Sequence, residues 1–124
     1  MPRLVLIIDD SASCAETLQI ALETMPNLES RVLTSPRGAL AVMRESAGNL
    51  VAVVTDLHMP QKDGLEFIRE VRAEDGLKHV PILLISGDSD PLLERKALAQ
   101  GASAFFSKPY SPAAVRRKLE QLLC

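Results

Sequence analysis

Five short segments rich in Val, Ile and Leu recur along the 124-residue chain, at Leu4 to Ile8, Arg31 to Thr34, Leu50 to Val54, Ile82 to Ile85 and Ala104 to Phe106. Each has the length and make-up of a β-strand. The first, third and fourth are apolar almost without a break, a pattern that requires cover on both faces of a sheet. The spacers switch to a helical period: Leu18, Leu22 and Met25 share a face, as do Leu40, Met43 and Ala47, then Leu65, Ile68 and Val71, then Leu93, Ala97 and Leu98, then Val115, Leu119 and Leu122. A strand followed by a helix, five times over, predicts an α/β chain with a parallel sheet. Right-handed crossovers lay helices on both faces, so the expected architecture is a single doubly wound, flavodoxin-like domain over residues 1–124.

Local punctuation agrees. Ser35-Pro36, Asp90-Pro91 and Ser111-Pro112 each set a capping side chain before a proline at the first helical position, and Gly101 is placed to end the fourth helix. Fourteen Lys and Arg against sixteen Asp and Glu leave a net charge of −2, no footprint for direct binding of nucleic acid or an anionic membrane. Asp9 and Asp10 break the first apolar run far short of the ~18 residues of a membrane span or the roughly 7 to 15 of a signal-peptide core. Cys14 and Cys124 form no CxxC pair and are read as free thiols, in keeping with a cytoplasmic location.

In a doubly wound sheet, functional groups collect beyond the carboxyl ends of the strands. Asp9 and Asp10 are expected just past the first strand, Asp56 past the third, Ser86 past the fourth and Lys108 past the fifth. Singly, each has a plain structural account. Asp10 or Ser11 can cap the first helix, Asp56 can be a loop residue, and Ser86-Gly87-Asp88 and Lys108-Pro109 read as turns. Together they resist it, because each pair of carboxylates at ~4 Å costs on the order of 4 kcal/mol at an effective dielectric near 20. Such a cluster requires a cation, and oxygen ligands without a Cys or His cluster favour a hard divalent ion such as Mg²⁺. A carboxylate nucleophile, a metal, a lysine and a hydroxyl donor are the equipment of phosphoryl transfer.

The pair Asp9-Asp10, the run Asp56-Leu57-His58-Met59-Pro60-Gln61-Lys62-Asp63-Gly64, the Ser86-Gly87 turn and the stretch from Gly101 to Pro109 closely resemble the receiver domains of bacterial two-component response regulators. The resemblance covers the whole chain and implies the sheet order 2-1-3-4-5. It implies that Asp56 is the phosphoacceptor, taking a phosphoryl group from a phosphohistidine on a sensor histidine kinase or phosphotransfer protein. Asp10 and Asp56 would ligate Mg²⁺, Asp9 would act through a metal-bound water, and the backbone carbonyl of His58, not its imidazole, would complete the protein's ligands. Lys108 would pair with one phosphoryl oxygen and the Ser86 hydroxyl with another, with a cis Lys108-Pro109 bond.

The resemblance also makes Phe105 the switch aromatic, although the same residue can be simply part of the core; by strand alternation Phe106 faces the other way. His58 and Asp88, each two residues beyond a site residue, are expected to tune the lifetime of the phosphoryl group. Output is expected at the face of the fourth helix, fifth strand and fifth helix, near Leu92, Lys96, Phe105 and Tyr110, toward an unidentified downstream protein or output domain. Ile20 is exposed by helical phase and is a candidate for a kinase-docking surface. Two departures stand out: serine replaces the family's commoner threonine at 86, and Phe105 lacks a phenolic oxygen. The implied protein is a signalling switch with self-catalysed phosphotransfer and autodephosphorylation, not a turnover enzyme, either standing alone or as part of a longer regulator with a DNA-binding or enzymatic output domain. An aspartate-nucleophile phosphatase would need an Asp-x-Asp motif that Asp9-Asp10 and Asp56-Leu57-His58 do not supply, and a flavodoxin-like electron carrier would need a phosphate-cradling loop after Ile8.

Overall fold

A computed structural model describes residues 2–58, 63–88 and 90–123; Met59, Pro60, Gln61 and Lys62 of the motif after Asp56, and Cys124, lie outside the described residues. Strands and helices alternate as β1 (Arg3–Ile8), α1 (Ala12–Leu22), β2 (Leu28–Leu33), α2 (Ala39–Glu45), β3 (Leu50–Asp56), α3 (Gly64–Arg72), β4 (Ile82–Ser86), α4 (Leu93–Gln100), β5 (Ala104–Ser107) and α5 (Pro112–Leu123). All neighbouring strands pair in parallel, in the expected order β2-β1-β3-β4-β5.

Strand alternation divides the interior into two cores. Val5 and Ile7 pack with Leu18 and Leu22 of α1 and Val115 and Leu119 of α5. Leu6 and Ile8, from the same strand, pack instead with Met43 of α2, Phe67 and Ile68 of α3 and Ala97 of α4. The sheet is thus covered on both sides, which is why β1, β3 and β4 could be apolar throughout. Fully burying one such side chain contributes roughly 1.5 to 3 kcal/mol relative to leaving it in water.

Several boundaries differ from the sequence expectation. β2 begins at Leu28, not Arg31, because it is an edge strand paired only with β1; Glu29 and Arg31 stay exposed and hide its apolar signature. Ser35-Pro36 and Asp90-Pro91 each begin a turn that precedes a helix. The amide of Ala39 bonds to the Pro36 carbonyl and that of Leu93 to the Asp90 carbonyl, so α2 starts at Ala39 and not Pro36, and α4 at Leu93 and not Pro91. Ser111-Pro112 does open α5 as expected. Ala47 falls past the end of α2 and is exposed, and Leu98 is 46% exposed on α4, so neither joins the stripe assigned to it. Gly101 ends α4 in the left-handed region at φ 114 as predicted.

Candidate functional site

The site is built from strand ends. Asp9 and Asp10 follow β1 directly, and the first helix is capped by Ser11, whose Oγ accepts from the amide of Cys14. Asp56 and Ser86 are the last residues of β3 and β4, not residues beyond them, because pairing of Asp56 with Ile85 and of Ser86 with Ser107 carries the strands two residues and one residue further. Lys108 comes just after β5. The chain leaving Asp56 returns to α3 through Asp63, whose carboxylate caps the helix by accepting from the Leu65 amide. Gly64 donates its amide to the Leu57 carbonyl at 2.8 Å, and a Cβ there would lie 2.9 Å from Leu57 Cα. That close approach explains glycine at this position of the motif.

Carboxylate oxygens of Asp9, Asp10 and Asp56 lie within 4.8 Å of one another. Asp9 and Asp56 are 4% and 5% exposed, whereas Asp10 faces solvent. The Lys108 ammonium donates to Asp56 Oδ2 at 2.8 Å. Burial pulls the pKa of this lysine down, but the hydrogen bond and charge of Asp56, with the charge of Asp9, outweigh it and leave it raised. Burial raises the pKa of Asp9, and the neighbouring Asp56 and Asp10 push the same way against the Ser11 amide and Lys108. The Lys108 ammonium thus faces Asp56 and Asp9, and the three carboxylates form an all-oxygen donor set open to solvent through Asp10. Those residues fit a hard divalent cation.

Ser86 is fully buried and its Oγ accepts from the Asp88 amide at 2.9 Å. The His58 amide donates to Asp56 Oδ1, while its exposed ring bonds Asp88 Oδ2 at 3.1 Å through Nε2. That contact links the loops after β3 and β4. The Asp90 amide and then His58 hold the pKa of Asp88 down. The Lys108-Pro109 bond is cis.

Phe105 and Phe106 lie on opposite sides of the sheet, each half-buried, Phe105 against the core under α3 and α4 and Phe106 against that under α1 and α5. Phe105 also borders an open recess of about 300 Å³ lined by Asp88, Asp90, Glu94 and Lys108. A groove of about 420 Å³ runs over the face of α4, β5 and α5, past Leu98, Phe105 and Lys118. Leu92 and Ile20 are both exposed, at 51% and 67%. Tyr110 departs from the expected output face: it follows the strand on the side that α1 covers, packs against the α1–α5 core and lines a groove with Ser13, Cys14, Thr17 and Pro112.

Two residues carry no distinct signal in the sequence. Asp90 accepts from the Leu92 amide at 2.9 Å while its own amide donates to Asp88 Oδ1 at 2.9 Å. Arg72 donates to the carbonyls of Lys78, Val80 and Gly101. Only the residue's place before Pro91 hinted at the first, and nothing in the spacing reveals the second.

Residues 5–120 match the family described as the response regulator receiver domain. The chain is 28% identical over 120 residues to chemotaxis protein CheY1 of Helicobacter pylori strain J99, covering 96% of this chain and 95% of that protein. It is 27% identical over 120 residues to chemotaxis protein CheY of Pseudomonas aeruginosa, covering 95% and 94%. Among solved structures, it is similar to the chemotaxis response regulator CheY4 of Vibrio cholerae, with a TM-score of 0.85, 26% identity and coverage of 98% of this chain and 99% of that one.

Proposed function

The chain belongs to the response regulator receiver domain family, and from that premise we propose that Asp56 accepts a phosphoryl group from a phosphohistidine on a sensor histidine kinase or phosphotransfer protein. Members of this family are switches in two-component signalling, and receiver domains bind Mg²⁺ through acidic residues. The observation that carries the reading is the contact between Lys108 and the nearly buried Asp56, inside a group of three carboxylates. An ion pair built only for stability has no use for two further carboxylates, whose repulsion opposes folding.

In the proposed step a carboxylate oxygen of Asp56 attacks phosphorus. The bond from phosphorus to the donor's imidazole nitrogen breaks, its electron pair stays on that nitrogen, and an acyl phosphate forms. Asp9, Asp10, Asp56 and the backbone carbonyl of His58 would hold Mg²⁺; when bound, the ion supplies charge neutralisation for the transferring group. Lys108 moves its hydrogen bond from Asp56 to a phosphoryl oxygen. The Ser86 hydroxyl, which accepts from the Asp88 amide, donates its own proton to a second phosphoryl oxygen.

His58 and Asp88, bridged across the mouth of the site, screen the acyl phosphate from water and set its lifetime. Phe105 responds by moving toward the recess beside it, and a downstream protein reads the change on the face of α4, β5 and α5. Loss of the lifetime effect on replacing both His58 and Asp88 by alanine is the check on their role: an unchanged hydrolysis rate would sink it. No helix among the described residues is long and apolar enough to cross a membrane, in keeping with a proposed cytoplasmic site of action.

Intact mass after incubation with acetyl phosphate and Mg²⁺ tests the central claim. One phosphoryl adduct is expected on the protein, and none on Asp56→Asn or on a sample treated with a chelator. An equal adduct on Asp56→Asn would refute the assignment.

A further inference from the structure

β2 stands at one end of the strand order and is bonded to β1 alone. The Asn27 and Leu33 carbonyls accept from the Arg3 and Asp9 amides, so by the alternation of a parallel ladder residues 27, 29, 31 and 33 turn their backbone groups toward β1. Leu28, Ser30 and Val32 therefore turn theirs away from the sheet. Among the described residues, Ser30 alone finds an acceptor on that outer row. Its amide donates to Glu23 Oε2 at 2.9 Å and its hydroxyl to the same oxygen at 2.8 Å. Glu23 is the exposed C-cap residue of α1, and its carboxylate thus covers the middle of the free edge.

The side chains of the strand are arranged symmetrically about Ser30. Glu29 and Arg31 flank it on one face, both exposed, and among the described residues neither has an ion-pair partner. Leu28 and Val32 flank it on the other face, toward the core under α1 and α5. A second copy laid antiparallel, with Ser30 opposite Ser30, exchanges both amide-to-carbonyl bonds between the two serines, and likewise between Leu28 of one copy and Val32 of the other. Glu29 then stands opposite Arg31 of the second copy, twice, at the positions where cross-strand side chains are closest. A two-fold axis through residue 29 or residue 31 would instead set two glutamates or two arginines face to face. Charge complementarity therefore selects the axis at Ser30.

We propose that the outer edge of β2 is a pairing surface for a second copy of this chain, two-fold symmetric about Ser30 and held closed by Glu23. The inference is independent of the phosphoacceptor reading. In the closed state the carboxylate occupies the central donor of the row with charge-assisted hydrogen bonds, which are stronger than the amide-to-carbonyl bonds that would replace them. Pairing would also bring two Glu23 carboxylates together at the axis, where like charges repel. Once Glu23 is removed, the row of unpaired amides and carbonyls is a template for strand addition.

The test is sedimentation equilibrium of the natural protein and its Glu23 variants, with circular dichroism to show that each is folded. Glu23→Ala should dimerise with a dissociation constant about a hundredfold below that of the natural protein, tenfold per copy for one hydrogen bond no longer displaced. Glu23→Gln, which keeps the length of the side chain and loses its charge, should shift the same way by less. Adding Glu29→Arg to Glu23→Ala sets arginine opposite arginine and should return a monomer, and adding Arg31→Glu to that pair should restore the dimer. Amide exchange by NMR reads the register: in dimeric Glu23→Ala the amides of Leu28, Ser30 and Val32 should all become protected, whereas in the dilute monomer that of Ser30 should exchange faster than in the natural protein. Folded Glu23 variants no more associated than the natural protein overturn the proposal. So does a dimer indifferent to Glu29→Arg, because it would form through another surface.

Discussion

The two ends of the parallel sheet are built on opposite terms. At the end where strands begin, backbone donors meet acceptors in series: Arg3 with Asn27, Leu4 with Asn49, Val53 with Pro81 and Ser103 with Ile82, at 2.7 to 2.9 Å. Asn49 adds a side-chain bond to the Pro2 carbonyl, and the Arg72 guanidinium ties three further carbonyls together. At the end where strands finish, three carboxylates crowd around the Lys108 ammonium, and the buried Ser86 hydroxyl accepts from the Asp88 amide. The first arrangement is complete as it stands, whereas the second is improved by a cation and a phosphoryl group. A fold can hold such strain at one edge because the other edge and the two cores do not share it.

Short of replacing Asp56 itself, replacing Lys108 gives the largest effect expected at the chemical end. Lys108→Met removes the ammonium that donates to Asp56, and the rate of adduct formation should fall about a hundredfold, as for loss of one preorganised charge at a reacting centre. Stability should fall by less than the full cost of breaking a buried pair, because, although the Asp56 side chain is only 6% exposed, that of the lysine is 32% exposed and solvent screens part of the interaction. Time-resolved intact mass and urea denaturation measure the two quantities on one preparation. A large loss of stability with normal phosphorylation would invert the comparison.

Arg72→Ala asks the same question of the structural end. Burial lowers the pKa of this guanidinium, but four hydrogen bonds to carbonyls keep it useful as a cation. Their loss should cost about 3 kcal/mol in urea denaturation, since the carbonyls of Val80 and Gly101 lose a charged donor in partly buried surroundings. Initial rates of phosphorylation at low temperature, where the variant stays folded, should be unchanged. A stability loss too small to measure would mean that water replaces the clamp.

Which of these features could be read in advance follows from how far each signal reaches along the chain. β1, β3 and β4 are legible because cover on both faces leaves an unbroken apolar run, whereas the edge strand β2 mixes Glu29, Ser30 and Arg31 among its apolar residues and was legible only from Arg31 onward. The pairing of Asp56 with Lys108, 52 residues apart, follows from the rule that strand ends converge on one edge. No such rule reaches the His58–Asp88 bridge or the contacts of Arg72 with Gly101, since both depend on where loops come to rest. Tyr110 was misplaced for a related reason: a residue two positions past Lys108 has left the strand, and alternation no longer decides its side.

The smallest effect concerns the proton on Asp9, and it separates the two ends by sign. Burial and the neighbouring carboxylates raise the folded-state pKa of this group above its ordinary 3.8. Between 3.8 and that raised value the folded protein binds more protons than the unfolded chain, so the Asp9 contribution to stability falls as pH rises through this window. Ionised Asp9 is then a liability at neutral pH without metal, and Asp9→Asn should melt a few degrees higher in chelator. The difference should narrow as pH drops through the window, because the natural residue becomes neutral as well. Mg²⁺ at saturation should reverse its sign, since an ion bound to the folded state alone stabilises the natural protein and gains less from the asparagine. Melting curves of the two proteins across pH, with chelator and with Mg²⁺, make the check. A natural protein more stable than Asp9→Asn in chelator at neutral pH would show that the carboxylate edge is no more strained than the stapled edge opposite it.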